Sequence, residues 1–132
     1  MPIYQYNSYH KLIVVMILIG WSVYHFFQQT EQTTNYPNGQ IRKTGLTLNG
    51  KNHGKWVWYY PSGQVKMEGY FEHGKRIGQW HTYSIEGQKL TQSTYKDDQL
   101  NGQYIKWNEN EKVLEKHYYQ FDQKIINETT QN

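Results

Sequence analysis

The histidines and acidic side chains are the residues of this chain that could do chemistry, and their spacing argues against most of it. The six histidines, His10, His25, His53, His73, His81 and His117, share no repeated position and no i, i+4 helical spacing of the kind that seats a metal. His53 and His73 sit in glycine loops that can approach one another. A loop-bound metal is the sharper reading there and ordinary loop polarity the plainer one, so the expectation is no metal and no cofactor. Asp97-Asp98 stands where an earlier loop has His73-Gly74, which marks a divergent turn before a general acid or a calcium site. Gly50 to Gly54 and Gly74 to Gly78 do not read as phosphate loops, because no strand-to-helix transition follows them. With no convergent nucleophile, base or acid, no catalytic residue is assigned and the chain is expected not to be an enzyme. The absence of cysteine excludes a disulfide framework and a thiolate zinc site.

Surface recognition is the chemistry that remains. Aromatic residues make up 17% of the chain, and any core must be built largely from Tyr and Trp, large rings with a polar tip. Trp56, Trp58, Tyr59, Trp80, Tyr83, Tyr104 and Trp107 are the candidate interaction or structural aromatics. Lys51, Lys55, Lys75 and Arg76 gather positive charge at one edge, which suits solvated loop tips or a weak attraction to anionic headgroups or an acidic partner. The net charge of +3 comes from interleaved signs, and nucleic acid is not an expected partner.

The elements that must position these rings follow from a 24-residue period without insertions. Gly39, Gly63 and Gly87 keep that spacing, as do Gly50 and Gly74, and Gly54, Gly78 and Gly102. Trp56, Trp80 and Tyr104 keep it too, and so do Tyr59, Tyr83 and Trp107. A fixed period in the 20 to 50 range predicts a repeat array whose units bury surface only against their neighbours. Tyr36-Pro37-Asn38-Gly39 and Tyr60-Pro61-Ser62-Gly63 read as hairpin turns, with Pro at a type I corner and Gly entering a left-handed bulge. The connection Asn49 to Gly54 reads as a slightly longer loop carrying two glycines.

Between the turns lie two strands per repeat, giving an all-β fold: a single twisted antiparallel sheet of tandem β-hairpins over 36–126. The fifth column of the eight-residue strands holds Gly45, Gly69, Ser93 and His117. A bare backbone there leaves room for a ring of the next strand to lie over it, and Trp56, Trp80 and Tyr104 are the expected donors. The Trp56 and Tyr59 series differ by three positions. They are therefore expected on opposite faces unless a bulge intervenes.

Ahead of the repeats, 12–27 is free of Lys, Arg, Asp and Glu and reads as one transmembrane helix, an uncleaved signal anchor, after a flank over 1–11. A cleaved secretory signal and a buried core helix are the alternatives. The flanking charges place the repeats on the extracytoplasmic, periplasmic side of a membrane crossed once. Residues 28–35 read as a flexible polar linker and 127–132 as a disordered tail. An exposed end strand offers an edge for weak homo-oligomerisation.

The phrase Gly50 to Phe71, Gly-Lys-Asn-His-Gly-Lys-Trp-Val-Trp-Tyr-Tyr-Pro-Ser-Gly-Gln-Val-Lys-Met-Glu-Gly-Tyr-Phe, resembles the MORN repeat variant, in the form found in bacterial YwqK-type antitoxin-like repeat proteins. The resemblance implies tandem β-hairpins, no intrinsic catalysis and binding to another macromolecule. With the anchor, it implies a membrane-anchored protein-interaction or scaffolding module at the cell envelope. An antitoxin or immunity protein that neutralises a toxin is the alternative, and a scaffold binding anionic lipid a third reading. The last unit departs from the pattern by losing its turn glycines, as a capping repeat would.

Overall fold

The computed structural model describes residues 8–125. It contains one helix, α1 (Ser8–Phe27), followed by nine strands: β1 (Gln29–Asn35), β2 (Ile41–Leu48), β3 (Lys51–Tyr59), β4 (Val65–Glu72), β5 (Lys75–Tyr83), β6 (Lys89–Lys96), β7 (Gln99–Trp107), β8 (Val113–Gln120) and β9 (Gln123–Ile125). The strands pair antiparallel in chain order as one open sheet, so the expected meander of hairpins is present. Each strand hydrogen-bonds in the sheet only to its sequence neighbours, as a linear repeat array requires. Among the described residues only Trp56, Gly69, Trp80 and Ser84 are buried. The core is two indoles rather than a layer.

Two kinds of turn alternate. At Tyr60 to Gly63 the Gly63 N–H donates to the Tyr60 carbonyl at 2.9 Å, and Gly63 has φ of 89°, a left-handed backbone that Gly enters without a Cβ clash. This is the expected turn and bulge. The other connection differs from expectation. Asn49 and Gly50 alone form the turn, at φ of 52° and 73°, because Leu48 already pairs with Lys51. Two left-handed residues in succession match the right-handed twist of the flanking strands, so no longer loop is needed. Gly54 lies within β3, where the pairing to β2 jumps from Gly45–Trp56 to Leu46–His53. His73-Gly74 and Asp97-Asp98 make the equivalent turns. In the latter the Asp98 carboxylate accepts from the Arg76 backbone N–H at 2.9 Å, a side-chain bond that glycine cannot make.

The segment 28–35 is not a flexible linker. Gln29–Asn35 is edge strand β1, paired with β2. It occupies the place that the period assigns to an aromatic strand, one repeat ahead of β3, with Gln32 where β3 has Trp56. Side chains reinforce that pairing: the Thr33 and Thr44 hydroxyls lie 3.0 Å apart, and the Thr47 hydroxyl of β2 donates to the Thr30 carbonyl at 3.1 Å. The array therefore begins one strand before Tyr36. The tail over 127–132 lies outside the described residues.

The N-terminal stretch is a helix, as expected, but not a membrane span. Among the described residues no helix is long and apolar enough to cross a membrane. The unbroken aliphatic run of α1, Leu12 to Ile19, covers only about 12 Å at 1.5 Å per residue, against a hydrocarbon core of about 30 Å. Beyond it Gly20, Ser22 and His25 dilute the apolar character. The expected extracytoplasmic placement rested on that span.

Candidate functional site

The strongest feature of the sheet is a run of rings on one face. The Trp56 indole lies flat over Gly45 and the Trp80 indole over Gly69; a Cβ at those glycines would stand 2.3 Å and 2.2 Å from the rings. No other side chain leaves that space, so the fifth column performs the ring-covering role read from the sequence. Trp56 also donates its Nε1–H to the Leu46 carbonyl at 2.8 Å. The equivalent Trp80 Nε1 is buried without a partner.

Around these two anchors gather Trp58, Phe71 and Tyr95. Ring centroids are 5.7 Å apart for Trp58 and Trp80, 5.0 Å for Phe71 and Trp80, and 6.2 Å for Trp80 and Tyr95. With Met67 and Arg76 they enclose a shallow groove of about 260 Å³. The Arg76 guanidinium lies 4.1 Å over the Tyr95 ring, and Asp98 holds it from the side at 3.0 Å. The hydrogen bond from the Arg76 backbone N–H, and then this one from its side chain, keep the Asp98 carboxyl below its usual range. The groove is therefore apolar and aromatic, with its one guanidinium already neutralised.

Tyr83 lies on the opposite face, as the three-residue offset predicts. Its hydroxyl donates to Glu68 Oε1 at 2.8 Å, and Lys55 Nζ reaches Glu68 Oε2 at 2.8 Å. Burial, then the Glu68 hydrogen bond, pushes the Tyr83 pKa up to about 12. The Lys55 bond holds Glu68 low, and Glu68 in turn raises Lys55. His81 beside them is lowered, first by burial and then by the Lys89 ammonium. Each carboxylate oxygen already has a partner, and the phenol is held protonated, so the cluster works as a clamp between β3, β4 and β5. Period equivalents of Lys55, Glu68, His81 and Tyr83 are Gln79, Gln92, Ile105 and Trp107; the clamp occurs once.

The other expected residues divide. Tyr104 stacks on His117 at 6.4 Å and 4°, away from the groove. Tyr59 accepts the Tyr36 hydroxyl at its carbonyl, 2.8 Å. The Trp107 ring lies 6.0 Å from Lys89 Nζ. Of the eight glycines expected in turns, Gly39, Gly50, Gly63, Gly74 and Gly87 lie between strands, whereas Gly54, Gly78 and Gly102 lie within β3, β5 and β7; all eight have positive φ. His53 and His73 do approach, at 5.6 Å between rings, yet among the described residues no three His, Cys, Asp or Glu gather as a metal set. Phe71 and Tyr95 were not among the expected interaction residues, and Arg76 was expected only as part of a basic edge of loop tips. Phe71 and Tyr95 share the seventh column of the eight-residue strands, and that register next to the ring-covered glycine column is the signal that would have placed them.

Residues 52–73 match the family model described as MORN repeat variant. The match runs from β3 through the Pro-Gly turn and β4, one structural unit of the array. No curated protein matches the chain.

Proposed function

We propose that the sheet is a non-catalytic protein-interaction module whose aromatic face docks a protein partner. One observation carries this reading. Trp58, Phe71 and Tyr95 converge with Trp80 on a groove that, among the described residues, no second layer of the fold covers. Trp, Tyr and Arg dominate interface hot spots because a rigid ring yields large contact area at low entropic cost. The match of 52–73 to a repeat variant supports a platform built by tandem units.

Trp56 and Trp80 are unsuitable probes, since both are buried over glycine and their loss would damage the sheet. Trp58 and Tyr95 are half-buried and report on the surface. Affinity capture with the intact chain and with a Trp58→Ala/Tyr95→Ala variant of matched circular dichroism is the test. A protein retained by the first and lost by the second is expected; equal recovery refutes the reading.

A further inference from the structure

One column of the eight-residue strands changes character along the array. Arg42, Lys66, Leu90 and Leu114 occupy equivalent positions, and each is the extra residue of a bulge. The pairings of β2, β4, β6 and β8 skip from Lys43 to Ile41, from Met67 to Val65, from Thr91 to Lys89 and from Glu115 to Val113. A bulge re-aims the side chain it inserts. Arg42 and Lys66 thereby line a pocket of about 250 Å³ together with Tyr36, Trp58, Tyr59 and Met67. Trp58 and Met67 are also walls of the aromatic groove, so the two cavities adjoin.

The charges at the two ends differ. No carboxylate lines either cavity. Among the described residues Arg42 makes no ion pair, and Lys66 rests over the Tyr60 ring at 5.5 Å without an acidic partner. Arg76, at the far end, already has Asp98. The face therefore runs from an uncompensated cationic end to a neutral aromatic end.

We infer that this face takes an extended acidic peptide segment of a protein partner, in one polarity. An apolar or aromatic side chain seats between Trp58 and Tyr95, and an Asp or Glu carboxylate meets Arg42 and Lys66. The inference rests on the reading of the aromatic face as the docking surface and adds the chemistry of what docks. Arg42 offers a planar fork of donors to a carboxylate, and Lys66 a mobile point charge. From β3 to β6 the groove crosses roughly 14 Å at about 4.8 Å per strand, room for about four extended residues. Leu90 and Leu114 leave the later repeats without this charge selectivity.

Peptide display on the full chain, with counter-selection on Trp58→Ala and separately on Tyr95→Ala, each of matched circular dichroism, separates the two levels. The expected result is enrichment of sequences with Asp or Glu within about four residues of Trp, Phe or Leu. For the most enriched peptide, an Arg42→Gln/Lys66→Gln variant is expected to bind about tenfold more weakly by fluorescence anisotropy and to lose its sensitivity to salt. Apolar peptides enriched without acids, or unchanged affinity in that variant, overturn the inference and leave the aromatic surface standing. If no sequence is retained by the native chain and lost by both ring variants, the docking surface itself is overturned. Phosphatidylglycerol vesicles form the remaining arm. Flotation that requires Arg42 and Lys66, without enrichment of acidic peptides, assigns the cations to a lipid headgroup and overturns the inference.

Discussion

The second repeat and the last are built on the same 24-residue register, yet they hold together differently. In the second, Trp56 lies over Gly45, in the next its equivalent Trp80 lies over Gly69, and both indoles are buried. In the last, Tyr104 faces Ser93 on one side and stacks on His117 on the other, and it stays half-buried. The Pro-Gly turn Tyr60 to Gly63 has become Asn108 to Glu111, with Glu111 at φ of 59°. There the Asn108 side chain accepts from the Lys112 N–H at 2.9 Å, replacing by a side-chain bond what proline and glycine supply by conformation. A repeat needs its bare glycine only when the full indole must lie flat on the strand. Where the ring is smaller and faces another ring, the column tolerates Ser or His.

The largest break in that comparison comes from the rings. Trp80→Ala is expected to cost about 3–5 kcal/mol, because it removes the ring over Gly69 and one wall of the groove. Tyr104→Ala is expected to cost about 1–2 kcal/mol, since a half-exposed ring forfeits less burial. Urea unfolding of the two variants measures the difference, and equal losses would mean that the last repeat shares the same core.

Exchanging the turns sharpens the point. Gly63→Ala forces a side chain onto a left-handed backbone and is expected to destabilise by about 1 kcal/mol. Glu111→Gly relieves the same strain in the last repeat, partly offset by the greater freedom of glycine in the unfolded chain. It is expected to stabilise by about 0.5 kcal/mol. Thermal unfolding of the pair reads out opposite signs.

The smallest effects belong to the clamp on the opposite face. His81 has a folded pKa below its ordinary value of 6.5, so its contribution is fully present above about pH 6.5 and is lost as pH falls through the folded value. Tyr83 titrates near 12 instead of 10.0. Its contribution is fully present below about pH 10 and is lost as pH rises toward 12. Glu68→Gln is expected to cost about 0.5–1 kcal/mol at neutral pH and to lower the Tyr83 pKa in an ultraviolet titration. A Tyr83 titration that does not move would detach the clamp from the phenol.

Much of the fold was legible in the residues, and the reason is local. Gly45 and Gly69 were separable from the turn glycines by column alone, because a glycine within a strand and a glycine after Pro-Asn or Pro-Ser answer different backbone demands. Both strands of each hairpin, the Pro-Gly turns and the ring-covered column followed from the same period. The edge strand β1 was not legible in this way, since its place in the array shows only when the period is carried back over residues that have lost every aromatic. The groove was half legible. Trp58 and Trp80 were named, but Phe71, Tyr95, Arg42 and Lys66 join them only through cross-strand register.

The period, the turn chemistry and the ring-over-glycine contacts are therefore written in residue type and spacing, because each depends on a backbone conformation or on one neighbouring strand. Which side chains share a groove, which cations lack a partner, and that Lys55, Glu68 and Tyr83 meet are decided by tertiary structure. Each bulge shifts the register of everything beyond it. The sum of several such shifts across β2 to β6 sets the face, and no single stretch of the chain contains it.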